Sequence, residues 1–106
     1  PVIVHPERNL YFQEHIDLLE RFVRSGALCQ VTAMSLTGKF GSRIAQFARS
    51  LLERDCVHVV ASDAHGIRGR PPILSEARTL IHEQFGEERA RSLFETMPEM
   101  MIQKSH

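Results

Sequence analysis

The sequence has no tryptophan, only two cysteines and no excess of charge of either sign. Cys29 and Cys56 form no CxxC pair and lie in apolar stretches, which predicts buried free thiols in a reducing compartment rather than a disulfide or a zinc site. Thirteen basic residues balance thirteen acidic ones, so the chain has no general attraction for nucleic acid or anionic membrane. No apolar run could span a bilayer, and no signal peptide is visible. We therefore expect a cytoplasmic protein with no nucleic-acid partner and no membrane insertion.

Short apolar strands alternate with helical patterns along the 106 residues. Strands are predicted at residues 2–4, 27–33 and 57–61, and the order βαβαβαα indicates an α/β fold with parallel strands. Gly26 is expected to end the first helix, and Ser42 is expected to be the N-cap of the second. The apolar positions of the four helical patterns are Ile16, Leu19, Phe22 and Val23; Ile44, Phe47, Ala48, Leu51 and Leu52; Leu74, Ala77, Ile81 and Phe85; and Ala90, Leu93, Phe94 and Met97.

Three parallel strands by themselves leave both edges of a sheet open for pairing. The first residue is proline, and a strand begins at once with no leader, cap or turn before it. We therefore interpret residues 1–106 as a single partial domain. It would be either a piece of a barrel or a chain that pairs its open strand edges with another copy in a homo-oligomer.

Polar residues follow each predicted strand, at the end where α/β folds collect their functional sites. Asp63 and His65 are two residues apart, so in extended backbone both point to one side, the side of Val59 and Ala61. Carboxylate and imidazole together suit zinc, manganese or iron. Taken alone, the pair is better explained as a hydrogen-bonded pair that caps the strand.

Three further sets of residues have the same ambiguity. His5 ends the first strand, and Ile3 before it is expected to face inward by parity; a lone histidine is more often structural than a ligand. Arg8 and Arg70 are either phosphate clamps or ordinary surface charges. The loop around Lys39 lacks the P-loop pattern and is either an anion site or a capped turn. Because these residues and the Asp63/His65 pair follow strands at the same end of a parallel sheet, their agreement favours metal-assisted hydrolysis of a phosphate ester.

Three segments together resemble a known family: HPERN, QVTAMSLTGKFG and VHVVASDAHGIRGRPP. They are similar, in order and through almost the whole chain, to the bacterial PHP-type protein-tyrosine phosphatases of capsular and extracellular polysaccharide systems. The resemblance implies that the chain is the C-terminal part of a distorted (βα)7 barrel. It also implies a cluster of manganese or related divalent metals.

The same resemblance assigns roles to individual residues. His5, Asp63 and His65 would be metal ligands, whereas Arg8 and Arg70 would contact the substrate phosphate. The substrate would be a phosphotyrosine protein, the autophosphorylating kinase that controls polysaccharide assembly. No cysteine nucleophile is needed for this chemistry.

The chain departs from the family pattern in one respect. The His-x-His pair of the family's first strand and the ligands of its middle region are not among these residues. We therefore expect the chain alone to hold metal poorly, and we assign the activity to the intact protein. The alternatives are another PHP phosphoesterase, such as histidinol phosphatase, and a non-catalytic fragment or assembly module.

Overall fold

The computed structural model describes residues 2–62 and 72–104. Three strands form one sheet: β1 (Val2–Val4), β2 (Leu28–Thr32) and β3 (Val59–Ala61). Their order in the sheet is β1-β2-β3, and both neighbouring pairs run parallel. The prediction of an α/β fold with three parallel strands is confirmed.

The connections between the strands are helical. A 3₁₀ turn (Pro6–Arg8), α1 (Leu10–Glu14) and α2 (Ile16–Arg24) join β1 to β2. Between β2 and β3 lie α3 (Ala33–Leu36) and α4 (Ser42–Glu53). The 3₁₀ turn, α1 and α3 were not predicted, because segments of three to five residues are too short to show a helical apolar period.

The last part of the described chain is also helical. It contains α5 (Pro72–Phe85), α6 (Glu87–Arg91), a π-helical segment (Ser92–Thr96) and α7 (Met97–Lys104). Within residues 2–62 and 72–104, no helix is both long enough and apolar enough to cross a membrane.

Two of the predicted helix boundaries had different outcomes. Gly26 follows the end of α2, has φ 108° and donates its N–H to the carbonyl of Val23 at 3.0 Å, as expected for a glycine that ends a helix. Ser42 was predicted to be the N-cap of α4, and this is wrong. Ser42 is the first helical residue, and the N-cap is Gly41, whose φ of 103° favours glycine.

One face of the sheet packs against the helices. Ile3 lies opposite Cys29, and Val31 lies opposite Val60, so these four residues share that face. Ile3 packs against the core, as expected of an inward-facing residue, and the register places it on the face opposite Val59. The buried core on the helical side consists of Leu19, Cys29, Val31, Ala33, Leu36, Ala48, Leu51, Leu52, Cys56, Val57, Val60, Ala77, Ile81, Ala90 and Leu93.

The opposite face of the sheet is less well covered. Val2 is 45% exposed and Val4 is 50% exposed, although both are strand residues with apolar side chains. Val59 and Thr32 on the same face are buried, so the exposure is concentrated at β1, which is an outer strand of the described sheet. The carboxyl ends of all three strands lie at one end of this sheet, since every pair is parallel.

Candidate metal and phosphate site

The residues that follow β1 form a tight turn at the carboxyl end of the sheet. The N–H of His5 donates to the carbonyl of Gln30 at 3.0 Å, which extends the β1–β2 ladder by one residue. His5 itself is left-handed, with φ 59° and ψ 45°. Pro6 then begins the 3₁₀ turn, where the missing N–H of proline leaves no hydrogen bond unmade. The strand alternation of side chains therefore stops at His5.

The imidazole of His5 lies against β2. Its Nδ1 is 2.5 Å from the hydroxyl oxygen of Thr32, which is fully buried. Thr32 is opposite Ala61 in the register, so His5 reaches the face on which Asp63 was expected by parity. His5 reaches it through its left-handed backbone and not through alternation with Ile3.

Glu7 is a functional candidate that was not predicted from the sequence. Its side chain is fully buried, and its Oε2 accepts hydrogen bonds from the Thr32 N–H at 3.0 Å and from the Ser35 hydroxyl at 2.6 Å. Its Oε1 is buried without a hydrogen-bond partner within the described part of the chain. Nothing in the sequence distinguishes this carboxylate from a solvated one, because both of its partners lie at least 25 residues away.

Arg8 lies over an aromatic ring from the next connection. The guanidinium carbon of Arg8 is 4.9 Å from the centroid of Phe40. A cation over an aromatic face is attracted by the ring. The planar guanidinium can stack there while its N–H groups point outward in the plane of the guanidinium. Phe40 therefore restricts the positions available to Arg8.

The loop around Lys39 supports this aromatic contact. The Lys39 N–H donates to the carbonyl of Met34 at 3.0 Å, and the Gly41 N–H donates to the carbonyl of Gly38 at 3.0 Å. The Lys39 side chain is exposed. Lys39 was the residue of this loop considered as an anion site, but the residue that contacts Arg8 is Phe40.

Three of the five predicted site residues, Asp63, His65 and Arg70, lie outside the described residues. The structure places His5 and Arg8 in one turn and brings the end of β3 beside the end of β2, with Ala61 opposite Thr32. Within residues 2–62 and 72–104, no group of three or more His, Cys, Asp or Glu side chains could hold a metal ion.

Comparison with known proteins identifies the family of the chain. A family model described as "Capsular polysaccharide synthesis, CpsB/CapC" matches residues 1–103. The chain belongs to the CpsB/CapC family. It is 42% identical over 88 residues to tyrosine-protein phosphatase YwqE of Bacillus subtilis, which covers 83% of this chain and 35% of YwqE. It is 33% identical over 107 residues to tyrosine-protein phosphatase CpsB of Streptococcus pneumoniae, covering 96% of this chain and 44% of that protein.

A solved structure of the CpsB/CapC family has the same fold. It is described as "Crystal structures of YwqE from Bacillus subtilis and CpsB from Streptococcus pneumoniae, unique metal-dependent tyrosine phosphatases". It superposes on 85% of this chain with a TM-score of 0.76 and 41% sequence identity, and the match covers 36% of the solved chain. The present chain thus spans less than half the length of the CpsB/CapC relatives it matches.

The two thiols of this CpsB/CapC chain are buried and unpaired, as the sequence predicted. Burial, followed by the nearby Cys56 and Glu7, raises the pKa of Cys29 to about 11. Burial also raises the pKa of Cys56. Because a nucleophilic cysteine needs a lowered pKa, neither thiol has the properties of a catalytic thiolate.

His58 is held by hydrogen bonds to β2. The ring Nδ1 of His58 accepts a hydrogen bond from the backbone N–H of Cys29 at 3.0 Å. The backbone N–H of His58 donates to the Cys29 carbonyl at 3.0 Å. Burial lowers the pKa of His58, because the charged imidazolium is poorly solvated there. The neutral ring therefore continues the contact between β2 and the segment that leads into β3.

Proposed function

We propose that the protein containing this chain is a metal-dependent protein-tyrosine phosphatase. The observation that carries the proposal is the turn after β1, in which His5 is held by Thr32 and Arg8 is held by Phe40. This turn lies at the carboxyl end of a parallel sheet, where α/β enzymes build their sites. The similarity to YwqE and CpsB, both named tyrosine-protein phosphatases, supports the same conclusion.

The geometry of His5 fits a metal ligand. Metal-binding histidines usually engage their second ring nitrogen with an outer hydrogen-bond partner, and Nδ1 of His5 is engaged in this way by Thr32. His5 would then bind the metal through Nε2, and we propose Asp63 and His65 as further ligands. Imidazole and carboxylate donors suit manganese or a related divalent ion. Glu7 lies in the same turn as His5 and Arg8, and its buried Oε1 has no hydrogen-bond partner within the described part of the chain.

The reaction would be the hydrolysis of a phosphate monoester. Divalent metal ions, when bound, generate a nucleophile from water near neutral pH and withdraw charge from phosphate oxygens. Arg8 and Arg70 would bind the equatorial oxygens of the phosphoryl group and stabilise the charge that develops there. The raised pKa values of Cys29 and Cys56 are consistent with a reaction that uses no thiolate.

The family supports a more specific substrate. The CpsB/CapC family takes its description from capsular polysaccharide synthesis. We therefore propose that the substrate is a phosphotyrosine protein, namely the autophosphorylating kinase of that system. We also propose a cytoplasmic location. The two buried free thiols are consistent with a reducing compartment.

The sheet supports a proposal about the complete fold. The helices cover one face, while Val2 and Val4 on the other face are about half exposed. In a closed barrel that second face would be interior and would be filled by side chains from further strands. We therefore propose that residues 1–106 form the C-terminal part of a distorted (βα)7 barrel of the PHP type.

The function is tested with the full-length protein on a phosphotyrosine peptide and on histidinol phosphate. We expect hydrolysis of the peptide, loss of activity on chelation and recovery with manganese. Replacing Arg8 with alanine should lower kcat by about 10²- to 10³-fold, which is typical for loss of one group that stabilises transition-state charge. Arg49→Ala, at an exposed position of α4, is the matched control and should leave kcat unchanged.

Two results would contradict the proposal. Turnover of histidinol phosphate alone would assign a different PHP phosphoesterase activity. Activity that survives exhaustive chelation would exclude the metal-dependent mechanism. Gel filtration with metal analysis of residues 1–106 separately tests the non-catalytic alternative, because a metal-free dimer would indicate that the open strand edges serve assembly.

A further inference from the structure

We propose that Thr32 is a positioning residue for the phosphatase site. Its hydroxyl would accept the Nδ1–H of His5 and so fix the tautomer in which Nε2 carries the lone pair. This inference rests on the proposed function, in which His5 binds a metal through Nε2. Thr32 itself would touch neither the metal nor the substrate.

The contact joins a fully buried threonine to a half-buried histidine. The hydroxyl oxygen of Thr32 and Nδ1 of His5 are 2.5 Å apart, and Thr32 is fully buried. A neutral imidazole has one N–H and one lone pair, and a hydroxyl can either donate or accept. Only one of the two arrangements, with Nδ1–H donating to Thr32, leaves Nε2 able to bind a metal ion.

Thr32 is itself fixed from two sides. It is the last residue of β2 and lies opposite Ala61 in the β2–β3 register. Its N–H donates to Oε2 of Glu7 at 3.0 Å, and the same oxygen accepts the Ser35 hydroxyl at 2.6 Å. Its branched Cβ also restricts χ1, so the hydroxyl has few directions available.

These contacts close a ring of interactions through the turn. Glu7 binds the backbone of Thr32, the side chain of Thr32 binds His5, and His5 is two residues before Glu7 in the chain. The left-handed backbone of His5 is part of this ring, since φ 59° brings the imidazole to Thr32. Thr32 therefore controls both the proton position and the orientation of the imidazole.

The test separates the hydroxyl from the volume of the side chain. Thr32→Val keeps the branched shape and removes the hydroxyl, whereas Thr32→Ser keeps the hydroxyl. Thr37→Val is the matched control, because it removes a hydroxyl that donates to the Met34 carbonyl and does not contact His5. Each variant is made in the full-length protein, and thermal unfolding verifies that each one is folded.

Two measurements are made on each variant. Heteronuclear NMR of the imidazole nitrogens in the metal-free protein, with the His5 signals assigned by a His5→Gln variant, reports the tautomer. Competition with a chelator reports the affinity for manganese. We expect the Nδ1–H tautomer in the parent, in Thr32→Ser and in Thr37→Val. In Thr32→Val we expect loss of that preference and a manganese affinity lower by about 10- to 100-fold, the usual effect of removing such an outer partner.

Failure of this inference can be told apart from failure of the proposed function. If the parent binds no manganese, the phosphatase proposal fails, and the tautomer measurement still decides the role of Thr32. A parent protein with the proton on Nε2 of His5 would overturn the inference. So would a folded Thr32→Val variant with parental tautomer and parental affinity, because the contribution of Thr32 would then be packing alone.

Discussion

The buried carboxylate of Glu7 gives the sharpest prediction about stability. Replacing Glu7 with alanine leaves the Thr32 N–H and the Ser35 hydroxyl buried without their acceptor. Each buried donor that loses its partner costs about 1–3 kcal/mol, so we expect the free energy of unfolding to fall by about 2–6 kcal/mol.

A second substitution at the same position tests the reasoning more closely. Both donors bind the same oxygen, Oε2, and the carbonyl oxygen of an amide also has two lone pairs. Glu7→Gln can therefore keep both hydrogen bonds and lose only their charge-assisted part. We expect a cost of about 1–2 kcal/mol, clearly smaller than that of Glu7→Ala.

The assay is urea unfolding of the full-length protein, followed by circular dichroism. Glu53→Ala and Glu53→Gln are matched controls at an exposed position near the end of α4, and each should change the free energy of unfolding by less than about 0.5 kcal/mol. If Glu7→Ala costs no more than Glu53→Ala, Glu7 does not support the turn. If Glu7→Gln is as costly as Glu7→Ala, the charge and not the hydrogen-bond geometry is essential.

Two other contacts lead to predictions that need separate assays. Phe40→Leu removes the aromatic ring that Arg8 lies over. Loss of this cation–π contact costs about 0.5–2 kcal/mol, so kcat/KM on a phosphotyrosine peptide should fall by about 2- to 30-fold. An unchanged kcat/KM would show that Arg8 is positioned without Phe40. Burial lowers the pKa of His58, so the unfolded chain binds a proton at this residue more readily than the folded chain does. The contribution of neutral His58 to the free energy of unfolding should therefore be fully present above about pH 6.5 and should decrease as the pH falls below that value. His58→Gln, whose amide oxygen can accept from the Cys29 N–H, should show a smaller loss of unfolding free energy between about pH 7 and about pH 5; an equal loss would assign the pH dependence to other groups.

The proposed site depends on contacts between residues far apart in sequence. Thr32 is 27 residues from His5 and 25 residues from Glu7. Because the parallel register of β1 and β2 places these residues side by side, a change in that register would separate them. The sheet therefore fixes the relative positions of these residues, and the turn after β1 holds His5 and Arg8 at its end.

Local patterns were sufficient to predict much of the fold. The strand at Val2–Val4 and the stripe that includes Ala48, Leu51 and Leu52 follow from short-range apolar spacing, and the structure contains both. The thiols were predicted to be buried because they lie in apolar stretches, and they are buried. The family was predicted from three motifs in order, and the match to residues 1–103 confirms it.

The sequence by itself thus determined the three strands and the longer helices, and it predicted which residues belong to the proposed metal and phosphate site. Only the tertiary structure decided that His5 reaches Thr32, that the Glu7 side chain of the turn is buried and that Phe40 lies against Arg8. Strand and helix patterns arise from neighbours within a few residues of one another. Hydrogen bonds across the sheet depend instead on register and on one left-handed residue, and neither leaves a periodic signal in the chain.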